Sequence, residues 1–171
     1  MNSELRTLNS IRILGIDPGF GRMGYGVIEQ VGSTWKQVAF GCIDTSPKDT
    51  FVDRLKTIHH ELVQIIVKYQ PTRMAVEKLF HSTNAKTVID VAQARGVIVL
   101  TAVEQGLPVD EFTPLQIKQA MTGYGRAEKG QMQKMVAMIL GMKEKIKSDD
   151  AADALAVALT SGQSLWVKRI K

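Results

Sequence analysis

Apolar positions along this chain switch between strand-like and helix-like spacing, and the switches divide it into ten elements. Ile11 to Ile16 is a short apolar run that turns at Asp17-Pro18-Gly19. Met23 to Gln30 and Thr34 to Ile43 follow as strands joined through Val31-Gly32-Ser33. Connections this short predict an antiparallel meander. Phe51 to Tyr69 carries Leu55, Ile58, Leu62, Ile65 and Ile66 at helical spacing and is closed by Gln70-Pro71. Arg73 to Glu77 is short and apolar, and the helix before it is long enough to serve as a crossover to a parallel strand. Thr83 to Gln105 reads as a second long helix ending at Gly106, and Leu107 to Phe112 as another short strand. Pro114 to Met121, Lys129 to Leu140 and Ser148 to Ser161 are the remaining helical segments.

The order βββαβαβααα predicts an α/β fold: a mixed five-stranded sheet, three antiparallel strands then two parallel, with helices on both faces. If the meander supplies one half, the first strand lies centrally, beside the strand that ends in Glu77. Asp17 and Glu77 then emerge at one carboxyl edge, where open α/β sheets place their ligands. No repeat or linker divides the chain. It reads as a domain over 11–161, a flexible N-terminal extension over 1–10 and a C-terminal tail over 162–171.

Against that apolar background, four acids stand out: Asp17, Glu77, Asp150 and Asp153. A carboxylate in apolar surroundings is costly unless a hydrogen bond, a counter-charge or a cation compensates it. Asp-Pro-Gly is a common turn triplet, so Asp17 on its own is as readily a turn residue as a ligand. Glu77 on its own could be a strand-end acid paired with Lys78, worth little. Asp149 and Asp150 after Ser148 suit a capped helix start, where acids interact favourably with the helix dipole. That account does not reach Asp153, which sits among Ala151, Ala152, Ala154, Leu155, Ala156 and Val157. Helical geometry puts Asp150 and Asp153 on one face, where like charges repel unless a cation lies between them. Asp149, four residues before Asp153, is an alternative to Asp150. All-oxygen ligation favours Mg²⁺, with Mn²⁺ as a substitute, over zinc. Two such ions, about 4 Å apart, suit phosphodiester cleavage.

Charge adds a substrate class. The 171 residues carry a formal net charge of +5, with a pI near 9.4, a balance compatible with a polyanion. Between Lys118 and Lys147, the cations Lys118, Arg126, Lys129, Lys134, Lys143, Lys145 and Lys147 outnumber the acids Glu128 and Glu144. Such a run is commonly a solvated helical face, but its place just before the acidic pair makes it a candidate phosphate surface. Lys129 follows the glycine-rich Thr122-Gly123-Tyr124-Gly125 segment and could reach a scissile phosphate. Phe80, in a polar loop after Glu77, is either a core plug or a stacking platform for a base. The single cysteine, Cys42, excludes an intrachain disulfide and argues against a zinc–thiolate site, in keeping with a cytoplasmic location. No apolar run approaches the roughly 18 residues of a membrane span. His59 and His60 read as surface residues.

These motifs resemble the RuvC family of crossover junction endodeoxyribonucleases, bacterial Holliday-junction resolvases of the RNase H-like superfamily. The resemblance runs from about Ile11 to about Ala158. It is carried by Gly15-Ile16-Asp17-Pro18-Gly19 with Gly24-Tyr25-Gly26, by Ala75-Val76-Glu77 with Phe80, by the segment from Gly125 to Gln131, and by Asp150-Ala151-Ala152-Asp153-Ala154-Leu155-Ala156. It implies that Asp17, Glu77, Asp150 and Asp153 are metal-binding catalytic carboxylates. Lys129 and Lys118 become phosphate-contacting or catalytic lysines, and Phe80 an aromatic that engages junction bases. It also implies a homodimer, formed through the Thr83 to Gln105 helix, that nicks two strands symmetrically alongside the RuvA and RuvB branch-migration proteins. The extension to Ser10 and the extra Asp149 depart from the family pattern.

Competing readings are weaker. An actin- or sugar-kinase-like ATPase lobe shares the sheet order, but its nucleotide sits between two such lobes and this chain supplies one. A nuclease for ribosomal RNA precursors shares the fold, but the Asp150-to-Asp153 motif favours the resolvase. A catalytically inert junction binder has no use for four acids beside phosphates.

Overall fold

Strand β1 (Arg12–Asp17) lies at the centre of the sheet, and its neighbours on both sides decide where the acids go. The computed structural model describes residues 11–79, 85–125, 127–144 and 146–170. On one side β1 pairs antiparallel with β2 (Arg22–Val31), which pairs antiparallel with β3 (Thr34–Asp44). On the other it pairs parallel with β4 (Arg73–Glu77), which pairs parallel with β5 (Val109–Phe112). The order β3-β2-β1-β4-β5 is the mixed five-stranded sheet expected from the sequence. Helices α1 (Phe51–Tyr69), α2 (Ala85–Glu104), α3 (Pro114–Thr122), α4 (Lys129–Leu140) and α5 (Asp149–Ile170) complete the described elements.

Side chains alternate across a strand, so each half of the sheet's apolar residues faces a different helical layer. Leu14, Ile16, Met74 and Val76 bury one face against Ile58 and Leu62 of α1 and Ala94 and Ile98 of α2. Ile13, Ile28 and Ala75 face the other layer, built from α3, α4 and α5. Fully burying side chains of this size contributes about 1.5–3 kcal/mol each. Local signals start the helices. The Thr50 hydroxyl accepts a 3.2 Å bond from the Asp53 amide at the start of α1. Thr113 and Gln116 form a reciprocal capping box on α3.

Helix α5 lies unusually close to the sheet because glycines face it. A Cβ added to Gly15 would overlap the Ala154 carbonyl oxygen and stand 2.6 Å from the Ala158 nitrogen; one added to Gly26 would stand 2.7 Å from Leu155 Cδ2. At the far edge the Ser161 hydroxyl donates to Asp110 Oδ2 at 2.7 Å, and Arg73 pairs with the same oxygen at 3.2 Å.

Three boundaries differ from expectation. Asp17 is the last residue of β1, paired with Gly24, rather than part of the turn. The strand expected from Leu107 begins at Val109, because Leu107 belongs to the end of α2. Its amide donates to Ala102 O at 2.9 Å and the Gly106 amide to Val103 O at 3.0 Å, with Gly106 at φ 73°. That is a Schellman closure. Helix α5 does not stop at Ser161 but continues to Ile170, so the expected tail is helical over 162–170. Gly162 is not a helix stop. A Cβ there would lie 2.7 Å from the Trp35 ring, and glycine lets the indole pack on the helix backbone.

Candidate active site

Asp17 and Glu77 meet because their strands run parallel and in register. Ile16 pairs with Val76, so the next residue of each strand emerges side by side at the carboxyl edge. Alternation from Gly15 and Ala75 points both toward the α5 layer. The two carboxyl groups act on each other electrostatically at that edge. Burial pushes Asp17 up to about 8, reinforced by the charges of Glu77, Asp153 and Asp150 and opposed by Lys129. Burial likewise raises Glu77 to about 7, with the Asp153 charge adding to it; the neighbouring Asp17 carboxyl and the charge of Lys118 act the other way.

The remaining acids arrive on the first turns of α5. The Ser148 hydroxyl accepts from the Ala151 amide at 3.4 Å and touches Cys42 Sγ at 3.0 Å, tying the helix start to β3. Asp153 is half-buried and its carboxyl is raised, by desolvation first; Lys129 and Lys118 oppose the rise while Asp149 and Asp150 add to it. The neighbouring acids Asp149 and Asp150 have different surroundings. Asp149 accepts from Lys129 Nζ at 3.1 Å and from Gln133 Nε2 at 2.5 Å, which hold it against α4. Asp150 is among the charges that raise Asp17. Its backbone and Cβ lie against Gly24, the register partner of Asp17.

A cleft of about 490 Å³ opens beside these groups, lined by Glu77, Asp153, Lys118 and Lys129 with Pro114, Ile117 and Met132 at its apolar wall. The hydrogen bond to Asp149 is the main reason the Lys129 ammonium is held more firmly protonated than usual. Lys134 does not line this cleft. It is exposed on the other side of α4, in a groove with Met138 and Lys143. Phe80 and Arg126, both expected at the DNA surface, lie outside the described residues. Gln133 was not anticipated. The signal for it was its spacing of four from Lys129, which places both on one face of α4.

The donor set suits a hard divalent cation. Four carboxylates act on one another across β1, β4 and α5, and two lysines at the rim offset them only in part. Among the described residues, no three acidic, histidine or cysteine side chains stand close enough together to hold a metal ion by themselves. Mg²⁺ is commonly held through one or two carboxylates, with waters and substrate phosphates completing the shell.

A central β1 flanked by an antiparallel meander and parallel β4, with acids converging from both strand ends and a facing helix, defines an RNase H-like nuclease fold. The family model for crossover junction endodeoxyribonuclease RuvC matches residues 13–161, and the chain belongs to that family. It is similar to the crossover junction endodeoxyribonuclease RuvC of Halothermothrix orenii, with 50% identity over 157 residues, 92% of this chain and 95% of the relative. Among solved structures it is similar to Thermus thermophilus RuvC, at 33% identity and a TM-score of 0.85, covering 92% of this chain and 97% of that one. It is also similar to T. thermophilus RuvC in complex with Holliday junction substrate, at a TM-score of 0.87 with 33% identity, covering 92% and 96% of the two chains.

Proposed function

We propose that this chain is a structure-selective endodeoxyribonuclease that resolves four-way (Holliday) DNA junctions by paired symmetric nicks, in recombination and DNA repair. The observation that carries the reading is the convergence of Asp17, Glu77, Asp150 and Asp153 beside Lys129 and Lys118. The four carboxylates hold Mg²⁺, or Mn²⁺ in its place, as two ions. When bound, the ions acidify water and stabilise charge on the reacting phosphate. Asp17, at the end of the central strand β1, feels the charges of Glu77, Asp153 and Asp150 together. Lys129 and Lys118, at the cleft rim, neutralise non-bridging phosphate oxygens. Water adds to phosphorus, the bond to the 3′ oxygen breaks, and the products are a 5′-phosphate and a 3′-hydroxyl.

Symmetric nicking needs two sites, and α2 offers the surface for a homodimer. Ile89, Leu100 and Val103 are 63%, 57% and 59% exposed along one side of the helix, and Gly96 on the same side has open space where a side chain would be. The opposite side, with Ala94, Ile98 and Ala102, is fully buried. No helix among the described residues is long and apolar enough to cross a membrane. The reading places the protein in the cytoplasm with its DNA, working with RuvA and RuvB.

The test is a synthetic mobile four-way junction incubated with the purified protein, with and without Mg²⁺, and nicks mapped on all four strands. Paired cuts at symmetry-related positions, dependent on the cation, are expected. Cutting that is random, confined to one strand or indifferent to the cation overturns the reading.

A further inference from the structure

We infer that Gly24 is a positioning residue for the carboxylate site. By having no side chain it lets the backbone of Asp150 rest on β2 directly beside Asp17, and so sets the span across which these two acids reach a shared cation. The inference rests on the metal-dependent reading above.

Asp17 and Gly24 are register partners on β1 and β2. Partners in an antiparallel pair have Cα atoms about 4.5–5.5 Å apart. Gly24 presents the same face as Gly26, two residues on, and that face is covered by α5. A Cβ at Gly24 would overlap the carbonyl group of Asp150 and stand 3.1 Å from Asp150 Cβ. The first turn of α5 therefore meets the sheet backbone to backbone, one strand away from Asp17. The equivalent close approaches at Gly15 and Gly26 fall on Ala154, Ala158 and Leu155, deeper along the helix. Among these glycines, Gly24 alone lies under an acid.

Magnitude makes the close approach consequential. Relieving an overlap with a backbone carbonyl, which cannot rotate away as a side-chain tip can, requires the helix end to rise on the order of 1 Å. Magnesium holds its oxygens at about 2.0–2.1 Å in near-ideal octahedral geometry. A carboxylate displaced by half that distance leaves the shell.

The test is Mg²⁺ binding by titration calorimetry on the full chain, alongside thermal unfolding of the metal-free protein. Gly24→Ala is expected to weaken Mg²⁺ binding at least tenfold. Gly26→Ala, which crowds the side chain and backbone nitrogen of Leu155 deeper along the same helix, is expected to lower the unfolding midpoint while Mg²⁺ affinity stays within twofold of the parent. Equal loss of affinity in both variants, or none in Gly24→Ala, overturns the inference, because general loosening would then explain the data. Asp150→Glu keeps the test decisive if Gly24→Ala does not fold. With the backbone pinned on Gly24, a carboxylate one methylene longer misplaces its oxygens and loses at least tenfold; parental affinity in that variant shows the helix end adjusts freely and overturns the inference. A parent chain that binds no Mg²⁺ at all defeats the proposed function itself, a result distinct from these.

Discussion

Asp17 and Glu77 end neighbouring parallel strands one position beyond the Ile16–Val76 pair, so their carboxyl groups emerge side by side at the sheet edge, both raised by burial. Burial favours the protonated form of each acid in the metal-free site, so the folded chain retains protons that the unfolded chain gives up. Folding and protonation are therefore linked here.

The sign of that linkage gives a first prediction. Asp17 is raised from 3.8 to about 8 and Glu77 from 4.5 to about 7. Between the unfolded and folded values the native chain binds more protons than the unfolded one, so stability falls as pH rises. The contribution is fully present below about pH 4 and is lost through about pH 8. Urea unfolding of metal-free protein is expected to show this decline, and Asp17→Asn to flatten most of it. A variant as pH-sensitive as the parent would count against the assignment.

Divalent cation replaces those protons, so added Mg²⁺ is expected to stabilise the protein most at the alkaline end of the same window. At a concentration 100-fold above Kd the gain is about 2.7 kcal/mol. Asp17→Asn and Asp153→Asn are expected to lose it. Thermal midpoints with and without Mg²⁺ at pH 6 and pH 8.5 measure the effect, and an unchanged gain in either variant contradicts the site.

Asp153→Asn is expected to reduce junction cleavage by at least about 10²-fold, the scale on which loss of one electrostatic contributor acts, while junction binding persists. Gel-shift and nicking assays on one preparation separate the two. Undiminished nicking removes Asp153 from the machinery.

Lys118 and Lys129 differ in their surroundings, and their variants should differ too. Removing one cation that neutralises a DNA phosphate lowers the slope of log affinity against log salt by about 1. Lys118→Ala and Lys129→Ala are both expected to show that change. Lys129→Ala should also release Asp149 from its 3.1 Å ion pair. That pair is exposed and worth little to stability, so the unfolding midpoint should barely move. A salt slope equal to the parent's in both variants places DNA phosphate elsewhere.

If α2 forms the dimer surface, a charge at its exposed apolar side is intolerable in the interface and harmless in the monomer. Leu100→Asp, at a position 57% exposed, is expected to fold normally and sediment as a monomer. Nicks on the junction should then lose their pairing. A dimeric variant by analytical ultracentrifugation argues that the copies meet elsewhere.

Much of this was legible in the chain. Period-two and period-3.6 spacing marked the element types, and the element order made β1 central, which put Asp17 beside Glu77. Asp153 announced itself as an acid inside an alanine-rich helix. The readings of element type and strand order hold because local pattern and strand order are properties of the sequence itself. Other features depend on how distant segments pack together. Asp149 and Asp150 are indistinguishable along the chain; Lys129 and Gln133 of α4 hold one, and the other lies over Gly24, the register partner of Asp17. Lys134 belongs to the same basic run as Lys129, yet the helix turns it to another surface. Gly162 resembles a helix stop until Trp35 packs on it, and Gly24 resembles a strand weakness until Asp150 lies over it. Composition and periodicity determined which acids exist and which elements carry them. The tertiary structure decided which of them meet, because backbone approach and side-chain direction are settled only when α4 and α5 dock on the sheet.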